Sequence, residues 1–148
     1  MKTWGIMLLL TSIFIPALFL NSTQAGGTSG TLNVVVEGFP DSEGYAMVAV
    51  YGSEKSYDEG SPKIVKARVK VEDQKSLTTF IGLKYGIYAV AVYHDRNANG
   101  KMDKNIFGIP KESYGHSNNA QGSFGPPVFD KAKFEFGSPE EQIKINLK

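Results

Sequence analysis

The stretch HDRNANGKMD, residues 94–103, has the residue types and the spacing of a cation-binding loop. Aspartate and asparagine recur at every second position, a glycine follows, and a further aspartate comes three residues later. Calcium takes about six to eight oxygen ligands, typically from Asp, Asn, backbone carbonyls and water. The stretch fits the calcium-loop pattern D-x-[DN]-x-[DN]-G and extends it to the ninth position. The sequence therefore predicts a calcium site whose ligands are Asp95, Asn97, Asn99, the carbonyl oxygen of Lys101, and Asp103.

The twelfth position of this loop departs from the pattern, because it is Ile106 where a bidentate glutamate is expected. An apolar run precedes the loop and a Gly/Pro-rich segment follows it, so the flanks do not form a helix–loop–helix site. A ligand from elsewhere is therefore needed. The candidates are Glu112, which we include in the predicted set, the segment 117–119, and Asp130. With only two carboxylates in the loop, we expect weak affinity, about 10⁻⁴–10⁻³ M.

A metal-free turn is the main alternative for the same residues. Asn and Asp tolerate left-handed backbone and accept hydrogen bonds from their own turns, so N-A-N-G between apolar strands also fits a hairpin. A third alternative is a zinc or copper site, in which His116 approaches His94 and Asp95 from the following segment.

Catalytic motifs give little indication of an enzyme. The chain has no G-x-S-x-G, no phosphate-binding glycine loop and no cysteine nucleophile, and no pair of carboxylates stands out. We therefore predict no catalytic residues and no organic cofactor. Four tyrosines, at 85, 88, 93 and 114, either line a carbohydrate-stacking surface or pack on strand faces.

The N-terminal residues 1–25 have the pattern of a secretory signal peptide. Lys2 is followed by the apolar run 6–20, and small residues precede a cleavage position after Ala25. The apolar run is about 15 residues long and contains Pro16, whereas a membrane-spanning helix needs about 20. We expect a flexible leader at 26–30, one domain at 31–148, no membrane span after cleavage, and a periplasmic or secreted location.

The composition of the remaining chain fits a single exported domain. Removing Lys2 with the signal leaves 15 basic against 15 acidic residues, so the domain carries no basic excess of the kind that binds nucleic acid. The chain has no cysteine, which excludes disulfides and thiol chemistry. A bound cation is another way to stiffen such a domain.

Alternating hydrophobicity predicts an all-β fold, an antiparallel β-sandwich of about seven strands, Ig-like or transthyretin-like. The residues of 63–72 alternate between valine or alanine and lysine or arginine, which indicates a strand with one solvated basic face. The basic face is either plain solvated surface or a site for anionic ligands. The other predicted strands are 31–37, 45–51, a segment ending at 80–81, 87–93, 128–136 and 140–148.

Residues 96–127 show neither the period of a helix nor the alternation of a strand, and they contain several glycines and prolines. A connection this long is usually functional, packed on itself or disordered. Because it contains Ile106, Phe107, Ile109, Tyr114 and Phe124, we expect it to pack over one end of the sandwich.

Two resemblances support these expectations. The spacing F-x-G-L-x-x-G-x-Y at 80–88 resembles transthyretin-like and collagen-binding B-type sandwich modules, which implies a fold class. The segments YAVAVYHD (88–95), NANGKMD (97–103), FGIPKESYGHSNNA (107–120) and FGPPVFDKAKF (124–134) resemble the bacterial family of small exported proteins known as domain of unknown function 2141. That resemblance, weaker from about residue 31, implies an exported single domain in which 94–125 is one unit. It implies no activity.

The sequence therefore predicts an exported binding or structural module of the cell envelope, with a calcium-stabilised loop at 94–125. Ordering of this loop would present Tyr114, His116 and the asparagine pair to an envelope protein or glycan. The alternative is a carrier or enzyme for a small envelope metabolite that uses the same loop as a lid. A deep apolar pocket under the loop would favour the carrier, and a flat end would favour a protein or glycan surface.

Overall fold

The computed structural model describes residues 27–148. The predicted signal peptide, 1–25, lies outside the described residues, so the prediction stands untested. The first strand begins at Ser29, within the segment expected to be a flexible leader. Within 27–148, no helix is long and apolar enough to cross a membrane.

Over residues 27–148, the fold consists of eight strands and two short helices. The strands are β1 (Ser29–Glu37), β2 (Tyr45–Tyr51), β3 (Val65–Lys70), β4 (Lys75–Lys84), β5 (Gly86–Asp95), β6 (Tyr114–His116), β7 (Phe134–Phe136) and β8 (Glu140–Asn146). The helices are α1 (Glu54–Asp58) and α2 (Phe129–Ala132), and a 3₁₀ turn occupies Ser117–Asn119.

The strands form two sheets, which confirms the predicted all-β sandwich. One sheet has three strands in the order β4-β1-β8. The other sheet has five strands. Four of them follow the order β3-β2-β5-β6, and β7 pairs with β5 at the end of β5 that β6 does not contact. One pairing departs from the predicted antiparallel pattern, since β8 runs parallel to β1.

The core lies between the sheets and follows the period-two pattern of the strands. Alternate residues of β1, β2, β5 and β8 point inward, because successive side chains of a strand face opposite sides of its sheet. The buried set includes Leu32, Val34, Val36, Ala46, Val48, Val50, Val90, Val92 and Ile145. Backbone hydrogen bonds between Tyr114 and Lys148 join the sheets along one side, with N···O distances of 3.1 and 3.0 Å.

The prediction of a strand over 128–136 is wrong in its first half. Residues 129–132 form α2, whose Phe129 and Ala132 are buried together on the outer face of the five-stranded sheet. These two residues lie three apart, so one helical turn brings both to the same side. They pack with Tyr51 and Tyr57, the latter from α1, in a second apolar cluster that the sequence reading did not anticipate.

The expectation that 96–127 packs over one end of the sandwich is also wrong in part. The segment contributes β6 and the 3₁₀ turn to the body of the fold. Four of its large apolar side chains nevertheless stand in solvent, with exposed fractions of 91% for Ile106, 79% for Phe107, 58% for Ile109 and 106% for Phe124.

Candidate functional site

The start of the Asn/Asp turn, defined here as residues 95–103, is fixed by two neighbouring strands. Asp95 is the last residue of β5 and pairs with Tyr45, the first residue of β2. Gly44 precedes Tyr45 with a φ of +67°, and a Cβ atom there would lie 2.1 Å from the carbonyl oxygen of Asp95. Only glycine fits this close approach, so Gly44 allows the backbone of Asp95 to lie directly against β2.

Asp95 is the most unusual side chain of the turn, because it is a fully buried carboxylate with an unpartnered oxygen. Its exposed fraction is 0%. One oxygen, Oδ2, accepts a hydrogen bond from the backbone N–H of Gly100 at 2.9 Å and lies 4.0 Å from Nε of Arg68. The other, Oδ1, is buried and has no hydrogen-bond partner. A buried polar atom without a partner is costly, so it calls for an explanation such as a bound ion.

Three of the other predicted loop ligands, Asn97, Asn99 and Asp103, contact one another. The side-chain amides of Asn97 and Asn99 donate to the carboxylate of Asp103, with N···O distances of 2.7 and 3.1 Å. Their amide oxygens accept the backbone N–H groups of Asn99 and Lys101 at 3.2 and 2.8 Å. These bonds close the turn on itself. Each of these oxygens has a second lone pair, so ligation of a cation is compatible with the backbone hydrogen bonds.

Glu112 joins the two ends of the turn through its carboxylate. Its Oε1 accepts the N–H of Arg96 at 3.1 Å, and its Oε2 accepts the N–H of Asp103 at 3.0 Å. Together with Asn97 and Lys111, these residues border an open depression of about 350 Å³. Hydrogen bonds therefore link the side chains of Asn97, Asn99 and Asp103, while the carboxylate of Glu112 bonds to the backbone of the turn and not to the other predicted ligands.

The other candidates for the missing ligand lie elsewhere. Ser117 is fully buried, and its Oγ accepts the N–H of Val90 at 2.9 Å and donates to the carbonyl of Ala132 at 2.5 Å. Asn118 donates to carbonyl oxygens beside α2, and Asn119 accepts the N–H of Asn146. Asp130 pairs with Lys133. The resemblance implied that 94–125 is one unit, but the structure divides it. The segment 117–119 lies apart from the turn and is held by hydrogen bonds to other parts of the protein.

The histidines of the proposed transition-metal site lie on opposite faces of the five-stranded sheet. His94 faces inward, with Nε2 2.6 Å from the carbonyl oxygen of Glu43 and its ring 5.0 Å from that of Phe39. His116 pairs with Ala91 and so faces outward. Over residues 27–148, no three side chains of His, Asp or Glu are close enough to share a metal ion. A cation bound at the turn would thus depend on asparagine and carbonyl oxygens, which suit calcium and do not suit zinc.

His116 occupies a buried aromatic site beside the 3₁₀ turn. Its ring centroid lies 6.0 Å from that of Tyr57 and 5.9 Å from that of Tyr114, and its Nδ1 is buried without a partner. Burial, and secondarily the charge of Lys148, lower the pKa of His116 to about 4. The imidazole is therefore neutral at physiological pH.

The outer face of the five-stranded sheet presents a row of large side chains across four strands. Register places Arg68 beside Met47, Met47 beside Tyr93, and Tyr93 beside Tyr114. We call these four residues the cross-strand row. The guanidinium of Arg68 also stacks on the ring of Tyr45, 3.5 Å from its centroid. Burial, followed by the charges of Asp95 and Glu112, raises the pKa of Tyr93.

Only two residues of this row, Tyr93 and Tyr114, were among the tyrosines predicted from the sequence to form a surface. The same prediction included Tyr85 and Tyr88, but these last two face the core with Phe136. Met47 lies in a run that is apolar throughout, so periodicity could not assign it to a face. The register of β2 against β3 and β5 is the information that was missing.

A second open depression, of about 310 Å³, lies where β6 meets β8. Its border includes Tyr114, His116, Asn119, Gln121 and Lys148. Both depressions are bordered largely by polar side chains.

Comparison with known proteins places the chain in a family. A family model described as an uncharacterized protein conserved in bacteria (DUF2141) matches residues 34–144. The chain therefore belongs to this family, as the quoted segments predicted. No curated protein and no solved structure matches it.

Proposed function

We propose that this member of DUF2141 is an exported binding module of the cell envelope in which the turn 95–103 binds calcium. Export is supported by the signal pattern of residues 1–25. The absence of cysteine gives a bound cation a stabilising role that disulfides fill in many exported domains.

The observation that carries the proposal is the unpartnered Oδ1 of the fully buried Asp95. A buried ionised carboxylate is unfavourable unless it is paired, and Arg68 approaches it only to 4.0 Å with a side chain that is 43% exposed. A calcium ion bound at the turn would give Oδ1 a partner of opposite charge. The loop offers further hard oxygen ligands in Asn97, Asn99 and Asp103, and it offers the carbonyl of Lys101.

Binding exchanges hydrogen bonds within the turn for bonds to the ion. The amide groups of Asn97 and Asn99 would give up their contacts with Asp103, and the oxygens of all three residues would become available to the cation. The ion would then tie the end of β5, through Asp95, to the base of the projecting loop at Asp103. The hydrogen bonds of Glu112 to the backbone already hold these two points close together.

The cross-strand row supports the binding part of the proposal. Tyrosine rings on adjacent strands offer flat faces on which sugar rings stack, and tyrosine and arginine are enriched in the energetically important parts of interfaces. Arg68, Lys66 and Lys70 add exposed positive charge at one end of the row, which favours an acidic ligand. We therefore propose a glycan of the envelope as the ligand of this face.

The carrier or enzyme alternative gains less support from the geometry. A carrier for a small metabolite needs a concave, mostly apolar site that buries its ligand. The depression at the turn is open, and Glu43, Arg96 and Lys111 contribute to its border. This surface fits a ligand that lies across the protein.

Thermal unfolding with EGTA, calcium or magnesium tests the calcium site. If the dissociation constant lies at about 10⁻⁴–10⁻³ M, then 10 mM calcium stabilises the native state by about 1.4–2.7 kcal/mol. For a domain of this size, that corresponds to a rise in Tm of roughly 4–10 °C. We expect this rise with calcium, and a much smaller one with magnesium, which requires tighter octahedral geometry.

Asp95→Asn is the informative variant, because it keeps an acceptor for Gly100 while removing the charge. Its Tm should not respond to calcium. Asp130→Asn is the matched control, since Asp130 is exposed and pairs with Lys133 away from the turn; it should respond like the unaltered protein. A calcium response that survives in Asp95→Asn, or that is absent from the unaltered protein, contradicts the proposed site.

A further inference from the structure

Three large apolar side chains stand in solvent at the end of the projecting loop. The segment KNIFGIPK, residues 104–111, is called the tip here. Ile106, Phe107 and Ile109 are exposed by 91%, 79% and 58%. Scattered exposed apolar residues are normal, but three within four positions form a patch that marks an interaction site.

The tip holds a defined shape through its own hydrogen bonds. Asn105 organises it: its Oδ1 accepts the N–H groups of Phe107 and Ile109 at 2.9 and 3.0 Å, and its N–H donates to the carbonyl of Ile109 at 2.9 Å. Gly108 donates to the carbonyl of Asn105 at 3.0 Å. At the base of the tip, the backbone N–H of Lys111 donates to the carbonyl of Asp103 at 2.8 Å. The apolar side chains are therefore presented by a preorganised backbone.

Positive charge flanks the apolar residues on both sides. Lys104 and Lys111 begin and end the tip, both are exposed, and no acidic residue lies between them. The nearest carboxylates along the chain, Asp103 and Glu112, accept hydrogen bonds within the loop. An apolar end above a pair of lysines is the arrangement that suits an anionic lipid surface, where lysines reach the headgroups and apolar side chains enter the interface.

A lipid surface suits this patch better than a protein partner. A stable protein interface buries about 800 Å² on each side, which an eight-residue tip with three apolar side chains does not supply. A bilayer needs no complementary cavity, because its headgroup region accommodates a projecting apolar end. We propose that the tip docks the protein onto membranes containing anionic phospholipid, with Ile106, Phe107 and Ile109 in the interface.

This inference goes beyond the proposed function and does not depend on calcium. The hydrogen bonds that shape the tip involve Asn105 and backbone groups, none of which is a predicted cation ligand. Docking is therefore expected in EGTA, where calcium cannot bridge the protein to lipid phosphates. Failure of the calcium proposal and failure of the docking proposal are thus separate results.

Tryptophan fluorescence provides a direct test, because the only tryptophan of the chain is Trp4, within the predicted signal peptide. In the exported protein, Phe107→Trp would report from the tip. In EGTA, its emission should shift to shorter wavelength with vesicles of phosphatidylcholine and phosphatidylglycerol. Leu77→Trp is the control, since Leu77 is 58% exposed on β4; its emission should not shift. An unchanged Phe107→Trp spectrum at every lipid composition overturns the proposal and leaves a protein partner for the tip.

Co-sedimentation with the same vesicles tests the residue roles without a tryptophan. The triple variant Ile106→Ser, Phe107→Ser, Ile109→Ser should lose at least about tenfold in vesicle affinity, because its apolar area is gone. The control Leu77→Ser, Ile81→Ser removes comparably exposed side chains from β4 and should bind normally. Equal loss in both overturns the assignment to the tip.

The charge component is tested separately. Lys104→Gln with Lys111→Gln should weaken binding to anionic vesicles, whereas Lys75→Gln with Lys84→Gln, on the three-stranded sheet, should not. Equal binding of the unaltered protein to vesicles of phosphatidylcholine alone contradicts the role given to the two lysines.

Discussion

The buried imidazole of His116 is expected to make folding less favourable as the pH falls from 7 to 5. Its side chain is only 7% exposed and is enclosed by Tyr57 from α1, by Tyr114 on its own strand, and by Lys148 beyond β8. Among the residues that the structure describes, no carboxylate pairs with it and its Nδ1 has no hydrogen-bond partner. Burial and the charge of Lys148 both disfavour a proton, so the native-state pKa lies at about 4.

The sign and size of the effect follow from linkage. The unfolded chain has a histidine pKa of about 6.5, so below that pH it takes up a proton that the native state does not accept. The unfolding free energy therefore decreases as the pH falls, and the decrease ends near the native pKa. With these two values, His116 lowers the unfolding free energy by about 1 kcal/mol at pH 6 and about 2 kcal/mol at pH 5, relative to pH 7.

Urea unfolding followed by circular dichroism, at pH 7, 6 and 5, measures this effect when the unaltered protein is compared with His116→Gln. The variant retains a polar side chain of similar size that does not titrate. Carboxylates and His94 contribute equally to both proteins, so the difference between the two free energies isolates His116. That difference should shrink by about 2 kcal/mol between pH 7 and pH 5. Parallel curves would refute the reasoning, because they would mean that the native imidazole takes up a proton as readily as the unfolded one.

Two further predictions concern the turn and the sheet face. Gly44→Ala should unfold at a much lower temperature than Gly60→Ala. Both glycines have positive φ (+67° and +66°), but only at Gly44 would a Cβ atom meet the backbone, 2.1 Å from the carbonyl oxygen of Asp95. Similar melting temperatures of the two variants would contradict the close approach. On a glycan array, Tyr93→Ala and Tyr114→Ala should each weaken retention of acidic glycans by roughly two- to tenfold, because each lost stacking contact is worth roughly 0.5–1.5 kcal/mol. Turnover of a glycan or of a hydrolase substrate would contradict the binding-module proposal.

The strands could be predicted from the sequence because each has a face that must be buried. Leu32, Val34 and Val36 alternate with residues that stay at the surface, and the structure buries these three completely. Period two is a property of single strands, so it cannot state which strands pair or in which direction. The parallel pairing of β1 with β8 depends on contacts 109 residues apart, as between Val34 and Ile143.

The turn was predictable for the same local reason, and its surroundings were not. Asp95 to Asp103 act over short sequence distances, so residue type and spacing were enough to identify a closed turn. The burial of Asp95 depends on Gly44, which is 51 positions earlier in the chain and shows no local sign of this role. The wrong strand prediction at 129–132 has a different cause. Both Phe129 and Ala132 are buried, and one helical turn buries them as well as a strand would.

The exposure of the tip contradicts the prediction made for its apolar residues. Because burial of large apolar side chains is favourable, the sequence predicts that they pack against the sandwich. Asn105 accepts the N–H groups of Phe107 and Ile109, and these bonds define the backbone of the tip while both side chains stay exposed. Asp103 links this tip to the turn. Its carboxylate accepts hydrogen bonds from the amides of Asn97 and Asn99. Its N–H donates to Glu112, and its carbonyl accepts the N–H of Lys111. A cation at the turn would therefore change the partners of the Asp103 carboxylate and leave the backbone bonds beneath the tip in place. Calcium should thus stabilise the base of the loop without being needed for the tip to reach a membrane.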